Sequence, residues 1–148
     1  MRKLVLLLCI VVLGEGCGDG LKRVPIQGLV KAQGTPLGNA MIQFTPKAGT
    51  VGDGALGMSD SNGKFTVISS RQDDSGIPPG KYGVRVSKFV DAKGNPLPPD
   101  AKQADYPDAK ESIPVPYSTA NSPLEVTIDG KGGSVEVEIP VKIPGPKK

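Results

Sequence analysis

In a series of short segments between residues 24 and 143 apolar side chains recur at every second position, and nowhere at helical spacing over three turns. A period of two puts alternate side chains on opposite faces of an extended strand, so the chain is restricted to sheets with one buried face. The pattern is longest near the C-terminus. There Val135, Val137, Ile139, Val141 and Ile143 share one parity against Ser134, Glu136, Glu138 and Lys142. Leu124, Val126 and Ile128 alternate with Glu125, Thr127 and Asp129, and Tyr82, Val84 and Val86 with Gly83, Arg85 and Ser87. Earlier, Ala40, Ile42 and Phe44 oppose Met41, Gln43 and Thr45, and Val24, Ile26, Gly28 and Val30 share a face. Segments 55–59 and 64–69 flank SDSNG, a strong hairpin signal because Asn62-Gly63 tolerates positive φ.

The tally is seven short strands, which predicts an all-β, antiparallel β-sandwich of Greek-key type. Its expected inner faces carry Phe44, Tyr82, Val84, Val86, Leu124, Val126, Val135 and Val137. The 20 glycines and 15 prolines fit a chain of many turns. Pro140 marks an edge position or a strand end, because proline cannot donate to a ladder. One stretch departs from the pattern. Residues 91–123 are rich in Pro, Asp, Lys and Ala, long for a loop in a compact domain. Its first part, 91–112, reads as a solvated, flexible insert. Its second carries Ile113, Val115 and Tyr117, apolar enough to pack back on the sandwich.

The N-terminus follows a different rule. Arg2 and Lys3 precede an unbroken apolar run, 4–13, and then Gly14, Glu15, Gly16 and Cys17. This is the layout of a secretory signal peptide with small residues at its cleavage site. At about 1.5 Å per residue such a run covers only about half of a ~30 Å hydrocarbon core, too little for a permanent span. The expected organisation is a signal peptide at 1–16, a tether at 17–23, one domain at 24–143 and a tail at 144–148. Segment 13–17 resembles the lipobox of bacterial lipoproteins, in which the cysteine is acylated and becomes the mature N-terminus. Gly16 and Cys17 fit that pattern, whereas Leu13 lies one position early and Glu15 replaces a small uncharged residue. Lipidation at Cys17 would attach the chain to a membrane through acyl chains.

Composition excludes several kinds of chemistry. The chain has no histidine, which removes histidine bases, histidine triads and the usual zinc and copper sites. Cys9 leaves with the signal, so Cys17 has no partner for an internal disulfide or a thiolate cage. The acidic residues sit beside turns or at outward positions, and no pair forms an evident acid/base couple. The formal net charge is +3 with both signs interspersed, so no nucleic-acid partner is implied. No catalytic residue, cofactor or metal is expected.

Several phrases converge on one family. QGLVKAQGTPLGNAMIQFTP resembles the opening of carboxypeptidase regulatory-like domains, through Gly28, Val30, Gly34, Pro36, Leu37, Ala40 and Phe44. SDSNGKFTV resembles the same family's D-x-x-G-x-[FY] hairpin at Asp60, Gly63 and Phe65. PPGKYGVRVSK resembles its P-G-x-Y strand at Pro79, Gly80, Tyr82, Val84 and Val86. The segment IPVPYSTANSPLEVTI is similar to one found in short bacterial lipoproteins built on this domain. The resemblance implies a transthyretin-like (prealbumin-like) fold and a non-catalytic module that serves folding, surface display, or carbohydrate and protein contacts.

Sharper readings have weaker support. Asp60 and Asn62 before Gly63 could suggest calcium, but Lys64 and Phe65 stand where further ligands would follow. The isopeptide chemistry of collagen-adhesin B-type repeats needs an asparagine on or near the last strand, and 135–143 has none. Transthyretin-fold hydrolases that open hydroxyisourate use histidines. Two functional classes stay open. One is a membrane-anchored, non-enzymatic module of the bacterial envelope with an unidentified envelope protein or glycan as partner. The other is a soluble secreted binding protein, for which Phe89, Tyr106 and Tyr117 are the aromatic candidates.

Overall fold

The computed structural model describes residues 20–69, 76–98 and 100–144. The described chain is all-β. In order come β1 (Ile26–Ala32), β2 (Thr35–Pro36), β3 (Met41–Pro46), β4 (Ala55–Met58) and β5 (Lys64–Ser69). They are followed by β6 (Gly80–Ser87), β7 (Phe89–Val90), β8 (Lys110–Glu111), β9 (Leu124–Ile128) and β10 (Gly133–Ile139). A three-residue 3-10 turn, Gln103–Asp105, is the one helical element among the described residues.

The main sheet runs β10-β1-β5-β4-β3-β6-β9, with β2 on the flank of β1, and β7 and β8 form a separate two-stranded ladder. Pairing is antiparallel throughout except between β1 and β10, which run parallel from Ile26 opposite Gly133 to Ala32 opposite Ile139. Two expectations change here. Ten strands are described instead of seven, three of them only two residues long, and the ladder is not purely antiparallel. The physical reason for the second is distance along the chain. No hairpin joins β1 to β10, so nothing local dictates their direction.

Strand β5 organises the sheet. Its first half, Lys64, Phe65 and Thr66, pairs with β1, and its second half, Val67, Ile68 and Ser69, pairs with β4. One strand therefore serves two neighbours in succession on one path, an arrangement consistent with a β-sandwich. Phe65 lies at the changeover. A side chain on Gly28 would place its Cβ 2.1 Å from Phe65 Cζ, and one on Gly57 would lie 2.9 Å from Phe65 Cδ2. The ring thus fills space that both neighbouring strands leave open. It continues into Phe44 at 6.1 Å between centroids, and Phe44 meets Tyr82 edge-on at 6.4 Å. Around these rings Ile26, Val30, Ile42, Val84, Val86, Val137 and Ile139 are buried. The alternation thus assigns the faces correctly, with Arg85 and Glu125 more exposed than Val84.

Leu124, Val126 and Val135 depart from the expected core. They pack against it but are only partly buried, because β9 and β10 end the sheet and are covered from one side only. In the second part of the long loop, Ile113 is buried and Tyr117 packs on the core, but Val115 is 75% exposed. Flanking prolines hold that stretch in a turn that aims Val115 outward.

Side chains substitute for backbone partners in the loops. Buried Ser59 donates to Leu37 O (2.8 Å) and accepts from Ala40 N (2.9 Å), tying the β2–β3 connection to the end of β4. Within 91–112 the described residues include none that is buried, but the segment has local order. Asp91 Oδ1 accepts from Lys93 N and Asn95 N, both at 2.8 Å, and β8 pairs with β7 through Phe89–Glu111 and Val90–Lys110. Glu111 then accepts from Lys88 N and Ile113 N, each at 2.9 Å, and from the Ser87 hydroxyl.

Two predictions follow from this packing. Gly28→Ala must displace the Phe65 ring, and overpacking of this kind costs roughly 1–3 kcal/mol. The denaturation midpoint should fall accordingly, and unchanged stability would show that the ring does not need the gap. Limited trypsin digestion should cut after Lys102 before Lys93 or Lys110, since Lys93 lies in the Asp91 turn and Lys110 in a ladder. Earlier cutting at Lys110 would show that β7 and β8 do not hold the segment.

Candidate functional site

Several chemistry-bearing side chains among the described residues hold backbone groups. Tyr82 projects into the core from β6, and its hydroxyl donates to Pro78 O at 2.7 Å. Burial raises the phenol above its ordinary pKa, opposed by the charge of Arg23. Asp60 Oδ1 accepts from Asn62 N (2.8 Å) and Lys64 N (2.9 Å), so this carboxylate closes the β4–β5 turn. Asp91 is held below the usual carboxylate range, first by the Asn95 side-chain amide at 3.0 Å and then by backbone N–H groups. Desolvation lowers the Lys88 ammonium where the β6–β7 junction is clamped by Glu111.

Two surface features remain. The outward parity of β1, β5 and β4 carries Leu29, Leu56, Met58 and Ile68, with Leu56, Met58 and Ile68 between 45 and 53% exposed. They line a shallow groove of about 770 Å³, edged by Gln27, Lys64 and Thr66. The second is a smaller cavity of about 150 Å³ on the outward side of β3 and β6, walled by the turn at 119–122. Arg85 lines it, with Gln43 directly across the ladder. At its rim Lys47 Nζ pairs with Glu125 Oε1 at 2.8 Å. That hydrogen bond and charge hold the Glu125 carboxyl below its usual range.

Cys17, the one modification site expected from sequence, lies outside the described residues. The aromatic glycan candidates do not form a ring pair: Phe89 is 51% exposed on β7, Tyr106 sits in a turn, and Tyr117 packs on the core. The ring contacts described are those of Phe44 with Phe65 and Tyr82, inside the core. Sequence reasoning did not single out Arg85. Its signal is an outward arginine with no acid at the neighbouring outward positions Gly83 and Ser87, but its cross-strand neighbour Gln43 emerges only from the register. No helix of the described residues is long and apolar enough to cross a membrane. No protein-family model, curated protein or solved structure matches the chain.

The Tyr82 bond gives a pH-dependent prediction. Because burial raises its pKa, the folded state holds the phenolic proton more tightly than the unfolded chain does. The resulting stabilisation is complete below the unfolded value of about 10 and is lost as pH rises through the folded one. Tyr82→Phe should cost about 1–3 kcal/mol at neutral pH, by leaving the Pro78 carbonyl without its donor. It should also reduce the loss of stability above about pH 10. Denaturant titrations at neutral and alkaline pH measure both, and an unaltered alkaline limb would remove Tyr82 as its source.

Proposed function

We propose that this chain is a non-catalytic lipoprotein of the bacterial cell envelope, exported and then held to a membrane by acyl chains on Cys17. In this reading residues 24–143 are a carboxypeptidase regulatory-like domain of transthyretin-like, Greek-key type, and serve as a structural or interaction module. The observation that carries it is the order of the N-terminus: two basic residues, a ten-residue apolar run, small residues and then Cys17. The first ladder contact, Val24 with Ile77, follows Cys17 by a short stretch. Residues 17–23 extended would reach at most ~25 Å, enough to stand a small domain off a bilayer surface.

The domain itself offers supporting features. Asp60, Asp91 and Glu111 and the buried Tyr82 hydroxyl are occupied in holding turns and loops, which suits a scaffold. The apolar groove over β1, β5 and β4 supplies a face for contact with another envelope component.

The test is intact mass spectrometry of the protein recovered from the membrane fraction of a bacterial host. The expected species starts at Cys17 and carries added acyl mass, and Cys17→Ser should leave the membrane fraction or retain its signal. An N-terminus at unmodified Cys17, or a serine variant that stays membrane-bound with its signal removed, would overturn the anchoring.

A further inference from the structure

We infer that the cavity between the outward faces of β3 and β6 and the turn at 119–122 binds an oxyanion head group, a carboxylate or phosphate, with Arg85 as its principal ligand. The inference stands apart from the anchoring reading. It begins with an unsatisfied donor. Arg85 Nε is buried and has no hydrogen-bond partner among the described residues. Arg85 also has no carboxylate partner among the described residues: the ion pairs there join Lys31 to Glu136 and Lys47 to Glu125. The Glu125 carboxylate is taken by Lys47 at 2.8 Å. A buried N–H that finds no acceptor is costly, and a guanidinium costs more than a neutral group. Such a donor calls for an acceptor, and a guanidinium edge matches the paired oxygens of a carboxylate or phosphate.

The rest of the cavity fits the same ligand. Gln43 faces Arg85 across the ladder and can offer its amide N–H. Ser122 Oγ accepts from Leu124 N at 3.3 Å, so its own hydroxyl proton is available to donate inward. Thr119 cannot do the same, since its hydroxyl already donates to Pro116 O at 2.8 Å. Gly83 has the same outward parity as Arg85 and keeps that part of the sheet low; a Cβ there would come within 3.0 Å of Lys47 Cε. The volume of about 150 Å³ admits one small head group and no larger body. The ligand is thus the charged terminus of a molecule whose remainder stays outside.

The experiment uses the full chain, expressed with its export sequence, purified in detergent and labelled with 15N. The Arg85 Nε–Hε resonance is followed while inorganic phosphate or acetate is added, with sodium chloride at matched ionic strength as reference. Saturable movement is expected, with a dissociation constant on the order of millimolar for a single charge-assisted contact. Tighter binding of phosphate assigns a phosphoryl terminus, and tighter binding of acetate a carboxylate terminus. Arg85→Gln should weaken binding by about tenfold or more, read at the Ser122 amide. Gln43→Leu should weaken it less, and Lys47→Gln should leave the Arg85 response in place. Movement that chloride reproduces, a Ser122 response that survives Arg85→Gln, or no Arg85 response at about 100 times the expected constant would each overturn the site. Thermal unfolding of the Arg85 variant checks its fold. Were it unfolded, the Gln43 variant and the direct Arg85 resonance decide the outcome.

Discussion

The structure depends on one strand having two partners. β5 gives its first three residues to β1 and its last three to β4, and these are its connections to the two flanks of the main sheet. Such a changeover works only if the core side is filled at the turning point by something that neither neighbour obstructs. Phe65 supplies the filling, and Gly28 and Gly57 supply the room. From there the aromatic contacts run through Phe44 to Tyr82, so the ring at the changeover is linked by way of Phe44 to the far part of the sheet. A smaller residue at position 65 would open a cavity at the one place where the two flanks share a strand.

Polar groups follow a consistent pattern. Ser59, Asp60, Asp91 and Glu111 each accept backbone N–H groups at points where the chain leaves a strand. Each replaces a ladder partner that the loop would otherwise lack. This economy explains why irregular stretches between short strands keep a defined path with few apolar residues. It also makes Arg85 conspicuous. Beside these satisfied groups, a buried guanidinium nitrogen without an acceptor among the described residues is out of character.

The parts of the fold legible in the sequence are those set by local alternation. The inward parity of β1, β3, β5 and β6 follows from residue spacing alone, because a strand with one wet face must alternate. The alternation of 135–143 runs past the observed end of β10 at Ile139, where Pro140, open to an edge or an end in the sequence, stops the ladder. Pairing is not local and was not legible. Nothing in the alternation of 26–32 and 133–139 reveals that these segments run parallel and side by side. β7 and β8 escaped because Lys110 and Glu111 are charged and their partners lie about twenty residues earlier. The burial expected for Leu124, Val126 and Val135 was too deep, since period reports a side chain's face and not its strand's place in the sheet. The Arg85 cavity required three separate segments to be brought together, and only the register does that.

The parallel pairing of β1 with β10 has a mechanical consequence. The chain enters β1 at Ile26 beside Gly133 and leaves β10 at Ile139 beside Ala32, so entry and exit lie at opposite ends of the same ladder. Over seven residues at about 3.3 Å each, the separation is ~20 Å along the strand direction. Tension applied between the two ends pulls β1 backward and β10 forward, loading their hydrogen bonds together in shear instead of peeling them one at a time. A domain strung between a surface and a partner at its far end would resist extension as a clamp, whereas an antiparallel pair joined at one end would open like a zip.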